Sequence, residues 1–271
     1  VNGEELDLDS AIGAIVDKHS GRTPSEKVYQ MRKKAEREVS TLFLLDLSAS
    51  TDEWVDKEAY REALQRFDWE DYHNRRMTNL RDPKTYTPGS EKIFEGKKII
   101  DVEKEALVVM AEALEPIGDD YGIYGFSGYG RDNVEFFMIR DFDENYSELC
   151  KGRIGGIKPF RSTRMGPAIR HAVYKLSKRD ARLKVMIILS DGYPQDYDYG
   201  KDRTNKEYGI NDTKIAMREA RDKGIHTFCI TVDKEGYSYL EEMCGRGNFL
   251  VIEDIASLPQ KLPKIYRGLT T

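Results

Sequence analysis

Two apolar runs that each end in an aspartate constrain this chain more than any other feature. Leu42-Phe43-Leu44-Leu45 stops at Asp46, and Val185-Met186-Ile187-Ile188-Leu189 passes through Ser190 to Asp191. A continuous apolar run without alternation suits a strand of a parallel sheet, covered on both faces. The rest of the pattern supplies the covering layers. Val102, Ala106, Val109, Met110 and Ala113 recur at helical spacing over 101–115. Ile123–Phe126 and Val134–Ile139 read as strands, and Pro167–Lys178 as a helix. A helix over Asn211–Lys223 stops at Gly224, a residue suited to a helix C-terminus. Ile225–Val232 is a strand, Tyr237–Cys244 a short helix, Phe249–Ile252 a last strand, and a helix with basic ends closes the chain. Strands alternating with helices predict an α/β, three-layer, doubly wound sheet of Rossmann-like type.

Two segments stand outside that alternation. Residues 1–40 are charged and weakly periodic, with one helix expected through Ala11, Ile12, Ile15 and Val16 before the break at Gly21-Arg22-Thr23-Pro24. They read as an N-terminal extension or linker to a domain over 41–271. Residues 51–97 are long, charged and aromatic, and hold both tryptophans, Trp54 and Trp69. They separate the first strand from its helix and read as an insertion. Its start, between the two tryptophans, has helical character.

Composition removes several function classes. The formal net charge of −5 disfavours sequence-independent nucleic-acid binding. No run of about 18 apolar residues is present to span a membrane. Three cysteines, Cys150, Cys229 and Cys244, include no C-x-x-C pair, so neither a disulfide scaffold nor a zinc ribbon is expected. A reducing, cytoplasmic setting fits them. The four histidines form no zinc-hydrolase pattern, and no P-loop occurs.

The two aspartates carry the chemistry. In open α/β sheets, ligands bind beyond the carboxyl ends of the strands, where strand order reverses. If the two apolar strands are neighbours, Asp46 and Asp191 face one crevice. Asp46-Leu47-Ser48-Ala49-Ser50 would turn two hydroxyls toward it, and the loop Arg161-Ser162-Thr163-Arg164 would bring Thr163. Two carboxylates and three hydroxyls are hard oxygen donors, which suit Mg²⁺ or Mn²⁺ rather than zinc or copper. Neutral hydroxyl ligands quench the ion only partly, so it would keep affinity for an external carboxylate. That favours capture of a partner's Asp or Glu over catalysis.

These residues resemble the metal-ion-dependent adhesion site of von Willebrand factor A domains: Asp46-x-Ser48-x-Ser50, then Thr163, then Asp191. The resemblance implies a mainly parallel sheet with one antiparallel edge strand, assigned to Val134–Ile139. A narrower resemblance rests on Leu44–Ser50, Tyr124-Gly125-Phe126-Ser127, Thr163–Ala172, Ser190–Tyr197 and Tyr208–Thr213. These stretches are similar to the C-terminal region of the NorD/CbbO family. That implies the C-terminal part of a longer protein, working with a MoxR-type AAA+ ATPase ring. It also implies a client metalloenzyme of the nitric oxide reductase or Rubisco class, which presents an Asp or Glu to the metal. Arg164, Tyr193, Tyr197, Trp54 and Trp69 are the expected partner contacts, and any ATPase activity would reside in the partner.

Two other readings come from different classes. An apolar strand ending in Asp46 is also similar to haloacid-dehalogenase-like phosphatases, but Ser48 stands where their general acid belongs. The other is an A-type domain with a relic metal site that binds through its insertion.

Overall fold

The computed structural model describes residues 5–6, 29–30, 38–68, 93–199, 206–233 and 236–270. The chain divides into two compact units, 1–37 and 38–271. In the first, Glu5–Leu6 pairs antiparallel with Tyr29–Gln30. The helix expected through Ala11 to Val16 lies outside the described residues, as do Trp69 and most of the expected insertion.

The second unit is built on a six-stranded sheet. Its elements are β1 (Val39–Asp46), α1 (Lys57–Arg66), α2 (Ile99–Leu114), β2 (Asp120–Gly128), β3 (Val134–Arg140), α3 (Glu148–Gly155), α4 (Met165–Ser177), β4 (Leu183–Ser190), α5 (Glu207–Asp222), β5 (Ile225–Thr231), α6 (Tyr237–Cys244), β6 (Phe249–Val251) and α7 (Leu258–Thr270). The strand order is β3-β2-β1-β4-β5-β6. All neighbours are parallel except the edge pair of β2 and β3. The expected antiparallel edge strand is therefore β3.

Every residue of β1 is buried, as the unbroken apolar run requires. Alternate side chains feed two cores. Phe43 and Leu45 join Val185, Ile187 and Leu189 on the face covered by α2, α3 and α7. Leu42 and Leu44 join Met186 and Ile188 on the face covered by α4, α5 and α6. These are the three expected layers. All three cysteines are free and buried. No helix among the described residues is long and apolar enough to cross a membrane.

The differences from expectation have local causes. The α3 helix was not anticipated: it is short, has no apolar stripe, and starts where the Ser147 hydroxyl accepts the Cys150 N–H at 3.5 Å. Val109, one of the apolar residues at helical spacing in α2, is exposed. The 51–97 segment leaves and returns at one point. Val55 N–H donates to the Lys97 carbonyl at 2.9 Å, and Ile99 N–H to the Glu53 carbonyl at 3.0 Å. The Trp54 ring packs on Tyr60 and edge-on to Phe94, with the Lys98 ammonium above it. This clamp lets α2 follow β1 as if the connection were short.

Candidate metal centre

The sheet reverses its order between β1 and β4: the chain moves from β1 to β2 on one side, then to β4 on the other. A crevice opens at such a switch point. Asp46 is the last residue of β1, and Asp191 directly follows β4. All five residues expected from the sequence converge there.

Asp46 is fully buried, and each of its oxygens is held. Its Oδ1 accepts the Ser48 N–H at 2.9 Å, and its Oδ2 accepts the Ser190 hydroxyl at 2.8 Å. The Thr163 side chain is a further hydrogen-bond partner. The Ser48 and Ser50 hydroxyls lie 2.9 Å apart, and Ser50 Oγ donates to Asp191 Oδ1 at 3.0 Å. One hydrogen-bonded chain thus connects Asp46, Ser48, Ser50 and Asp191, with Thr163 joined at Asp46.

The loop carrying Thr163 is fixed from both sides. Gly128 and Ser162 exchange backbone hydrogen bonds, and Thr163 N–H donates to the Gln195 carbonyl at 3.0 Å. Arg161 takes a left-handed backbone (φ 52°), the one non-glycine residue to do so among those described, and its carbonyl accepts the Ala49 N–H at 2.9 Å. A conformation that costs about 1–2 kcal/mol for an L-residue is thereby tied to the serine turn.

Electrostatics mark the same place. Burial raises the Asp46 carboxyl above its ordinary range, against the hydrogen bonds from Ser48, Ser190 and Thr163. Burial, then the charge of Asp46, pushes Asp191 up to about 7. Neither aspartate has an ion-pair partner among the described residues. Burying like charges without a counterion is costly. Two such carboxylates beside three hydroxyls are a donor set that fits a hard divalent cation. Above them lies a cleft of about 1160 Å³, lined by Ser48, Ser50, Thr163 and Asp191 and walled by Tyr129 and Tyr197.

The expected partner contacts divide. Tyr197 is 42% exposed, and Tyr193 is partly buried at the cleft wall. Two expectations need correction. Arg164 is only 6% exposed, because its guanidinium turns inward to pair with Asp196 at 2.6 Å and with Asp198. Trp54 is 7% exposed, because it closes the aromatic clamp at the ends of the 51–97 segment. Both side chains are thus mostly covered by the chain itself, Trp54 keeping a place in the cleft lining. Trp69 lies outside the described residues.

Sequence reasoning missed four residues. Ser190 was visible in Ser190-Asp191-Gly192 but drew no role. Asp196 and Asp198, which hold Arg164 and the backbone of the Gly130-Arg131 turn, carry no local signal. Glu103 did leave one: it sits at i+4 from Ile99 and i−4 from Leu107, on the apolar stripe of α2.

Comparison with known proteins agrees with this geometry. Residues 89–264 match the von Willebrand factor type A domain. The chain is 33% identical to Protein NorD of Brucella melitensis over 269 residues, covering 99% of this chain and 36% of that protein. It is 30% identical to Protein NorD of Stutzerimonas stutzeri over 252 residues, 93% of this chain and 34% of that one. The chain therefore spans little more than a third of the length of these relatives. Among solved structures, the PilB minor pilin of Streptococcus sanguinis superposes with a TM-score of 0.62 at 14% identity, covering 90% of this chain and 64% of that one. The vWF domain of the pili tip protein Mfa5 of Porphyromonas gingivalis gives 0.52 at 11% identity, covering 85% and 96%. Both bear on the fold alone. The family match begins beyond β1 and the serine turn, yet β1 lies at the centre of the sheet and its end forms the switch point. On the sheet, its order and this match, the chain belongs to the von Willebrand factor type A domain family.

Proposed function

We propose that this chain is a non-enzymatic protein-binding domain that grips a partner carboxylate through a divalent cation, Mg²⁺ by its donor set. The observation that carries the proposal is the hydrogen-bonded cluster of Asp46, Ser48, Ser50, Thr163 and Asp191 on the floor of an open cleft, with one buried and one partly buried carboxylate that have no ion-pair partner among the described residues. Asp46 and Asp191 supply the charge that holds the ion. Ser48, Ser50 and Thr163 supply neutral oxygens, which leave much of that charge unquenched. The bound ion offers a coordination position to a carboxylate oxygen of the partner. Ser190 and the Ser48 N–H keep Asp46 in place throughout. Tyr129 and Tyr197 at the wall supply amphipathic contact area of the kind enriched at interfaces.

Similarity to Protein NorD supports a place in a longer adaptor. In this reading the adaptor couples a MoxR-type AAA+ ATPase ring to a client metalloenzyme of the nitric oxide reductase or Rubisco class. The test uses the full-length protein with a MoxR-type ATPase and a candidate client of that class. Binding to one of them is expected in millimolar Mg²⁺, and is lost with EDTA and in Asp191→Asn. Equal binding in all three conditions would remove the cation from the mechanism.

A further inference from the structure

Glu103 is a buried carboxyl of α2 that the proposed function does not use. It sits one turn into α2, on the inner face with Ile99, Val102, Ala106, Leu107 and Met110. It is 2% exposed, and its Oε2 is buried without a hydrogen-bond partner. The N-terminal turn of α2 is bonded to the serine turn through Ile99 N–H and the Glu53 carbonyl. Glu103 thus sits one turn along a helix whose start is bonded to the segment that follows Ser48 and Ser50. Burial, then the charges of Asp191 and Asp46, holds its carboxyl well above the ordinary range, so the three carboxyls sit within electrostatic reach of one another.

No lysine, arginine or histidine pairs with Glu103 among the described residues. The neighbouring cation Lys104 turns away toward Asp101. A buried carboxyl with an orphaned oxygen costs free energy that a leucine at the same position would not. Packing therefore does not account for glutamate here. A hard divalent ion does, since it keeps several waters whose protons need acceptors. Carboxylates just outside the direct ligands orient and tighten metal sites.

We infer that Glu103 is an outer acceptor of the cation site, one that tightens its hold on the ion before any partner arrives. The inference rests on the cation reading of Asp46 and Asp191. Its consequence is that ion affinity in the partner-free chain depends on a residue that touches neither the cleft nor the partner.

The test is calorimetric titration of Mg²⁺ into the wild-type chain, Glu103→Gln and Glu103→Leu, with metal-free melting curves of all three. Wild type is expected to bind. Both variants should lose about 10- to 100-fold in Mg²⁺ affinity, the usual effect of removing such an outer partner. Metal-free melting should be unchanged in Glu103→Gln and unchanged or higher in Glu103→Leu. Should the leucine variant fail to fold, the isosteric glutamine variant decides. Wild-type affinity in Glu103→Gln would overturn the inference and leave the cation reading intact. So would an affinity loss matched by an equal loss of metal-free stability, which would make Glu103 a support of the fold. Absence of Mg²⁺ binding by wild type would bring down the cation reading itself, and this inference with it.

Discussion

Two acidic clusters flank the same cleft, and they are compensated in opposite ways. In one, Asp196 and Asp198 converge on the buried guanidinium of Arg164, while the N–H groups of Gly130 and Arg131 satisfy further oxygens. In the other, hydroxyls and one N–H hold Asp46 and Asp191, an oxygen of Glu103 has no partner, and none of the three has an ion-pair partner among the described residues. Their proton affinities diverge accordingly. Burial would raise Asp198, but Arg164 and the Arg131 N–H hold it below the ordinary carboxylate range. Burial and Asp46 push Asp191 up to about 7. The first cluster is complete and locks the rim loop to the end of β2. The second is built to be completed from outside the chain.

The sharpest way to break the comparison is to remove the internal cation. Arg164→Met strands Asp196 and Asp198 in a buried place, and should cost about 3–5 kcal/mol in urea denaturation. Mg²⁺ should not restore that loss. Supplying the missing cation to the other cluster comes next. Mg²⁺ at about a hundred times its dissociation constant should stabilise the wild-type chain by about 2.7 kcal/mol, read as a rise in melting temperature. Asp191→Asn should abolish the rise with little cost to the metal-free fold, since it removes a charge that has no ion-pair partner and keeps an oxygen for the Ser50 hydroxyl.

The clusters should also respond to pH in opposite directions. With EDTA present, folded Asp191 keeps a proton up to about pH 7, whereas the unfolded chain releases it near its model value of 3.8. The folded state then binds more protons in that window, so this contribution to stability is lost as pH rises through it. Asp198 works the other way: its contribution is present at neutral pH and lost on acidification below the ordinary carboxylate range. Denaturation midpoints from pH 4 to 8 should show a decline that Asp191→Asn flattens. An unchanged decline in that variant would refute the assignment.

The smallest expected effect lies at the rim. Gly130 has φ 79°, and a Cβ there would stand 2.5 Å from Tyr197 Oη. Gly130→Ala should cost about 1–2 kcal/mol for the left-handed backbone, together with a shift of the tyrosine. Mg²⁺ affinity should stay at the wild-type value, because Gly130 belongs to the paired cluster's side of the cleft.

Much of the sheet was legible before any coordinates. The β1 and β4 runs stand out because a strand buried on both faces must be apolar throughout. Gly224 ends α5 where a left-handed residue is needed (φ 71°), and Tyr237–Cys244 forms the helix expected. The five donors were legible because each sits at a strand end or helix entry, positions where sequence order maps onto space. Arg164 and Trp54 were misplaced for the opposite reason. A charged or aromatic side chain beside a site carries no sign of whether it faces solvent or a distant partner. Arg164 finds its carboxylates 32 and 34 residues away, and Trp54 finds Phe94 across the 51–97 segment.

What the chain determines by itself is local and periodic: which runs become strands, where helices stop, and which oxygens stand ready at their ends. Only the tertiary structure decides the charge balance. Whether a carboxylate is paired depends on the few ångströms around it, and long-range folding fills that space. It placed Arg164 against Asp196 and Asp198, and left Asp46, Asp191 and Glu103 without an ion-pair partner among the described residues.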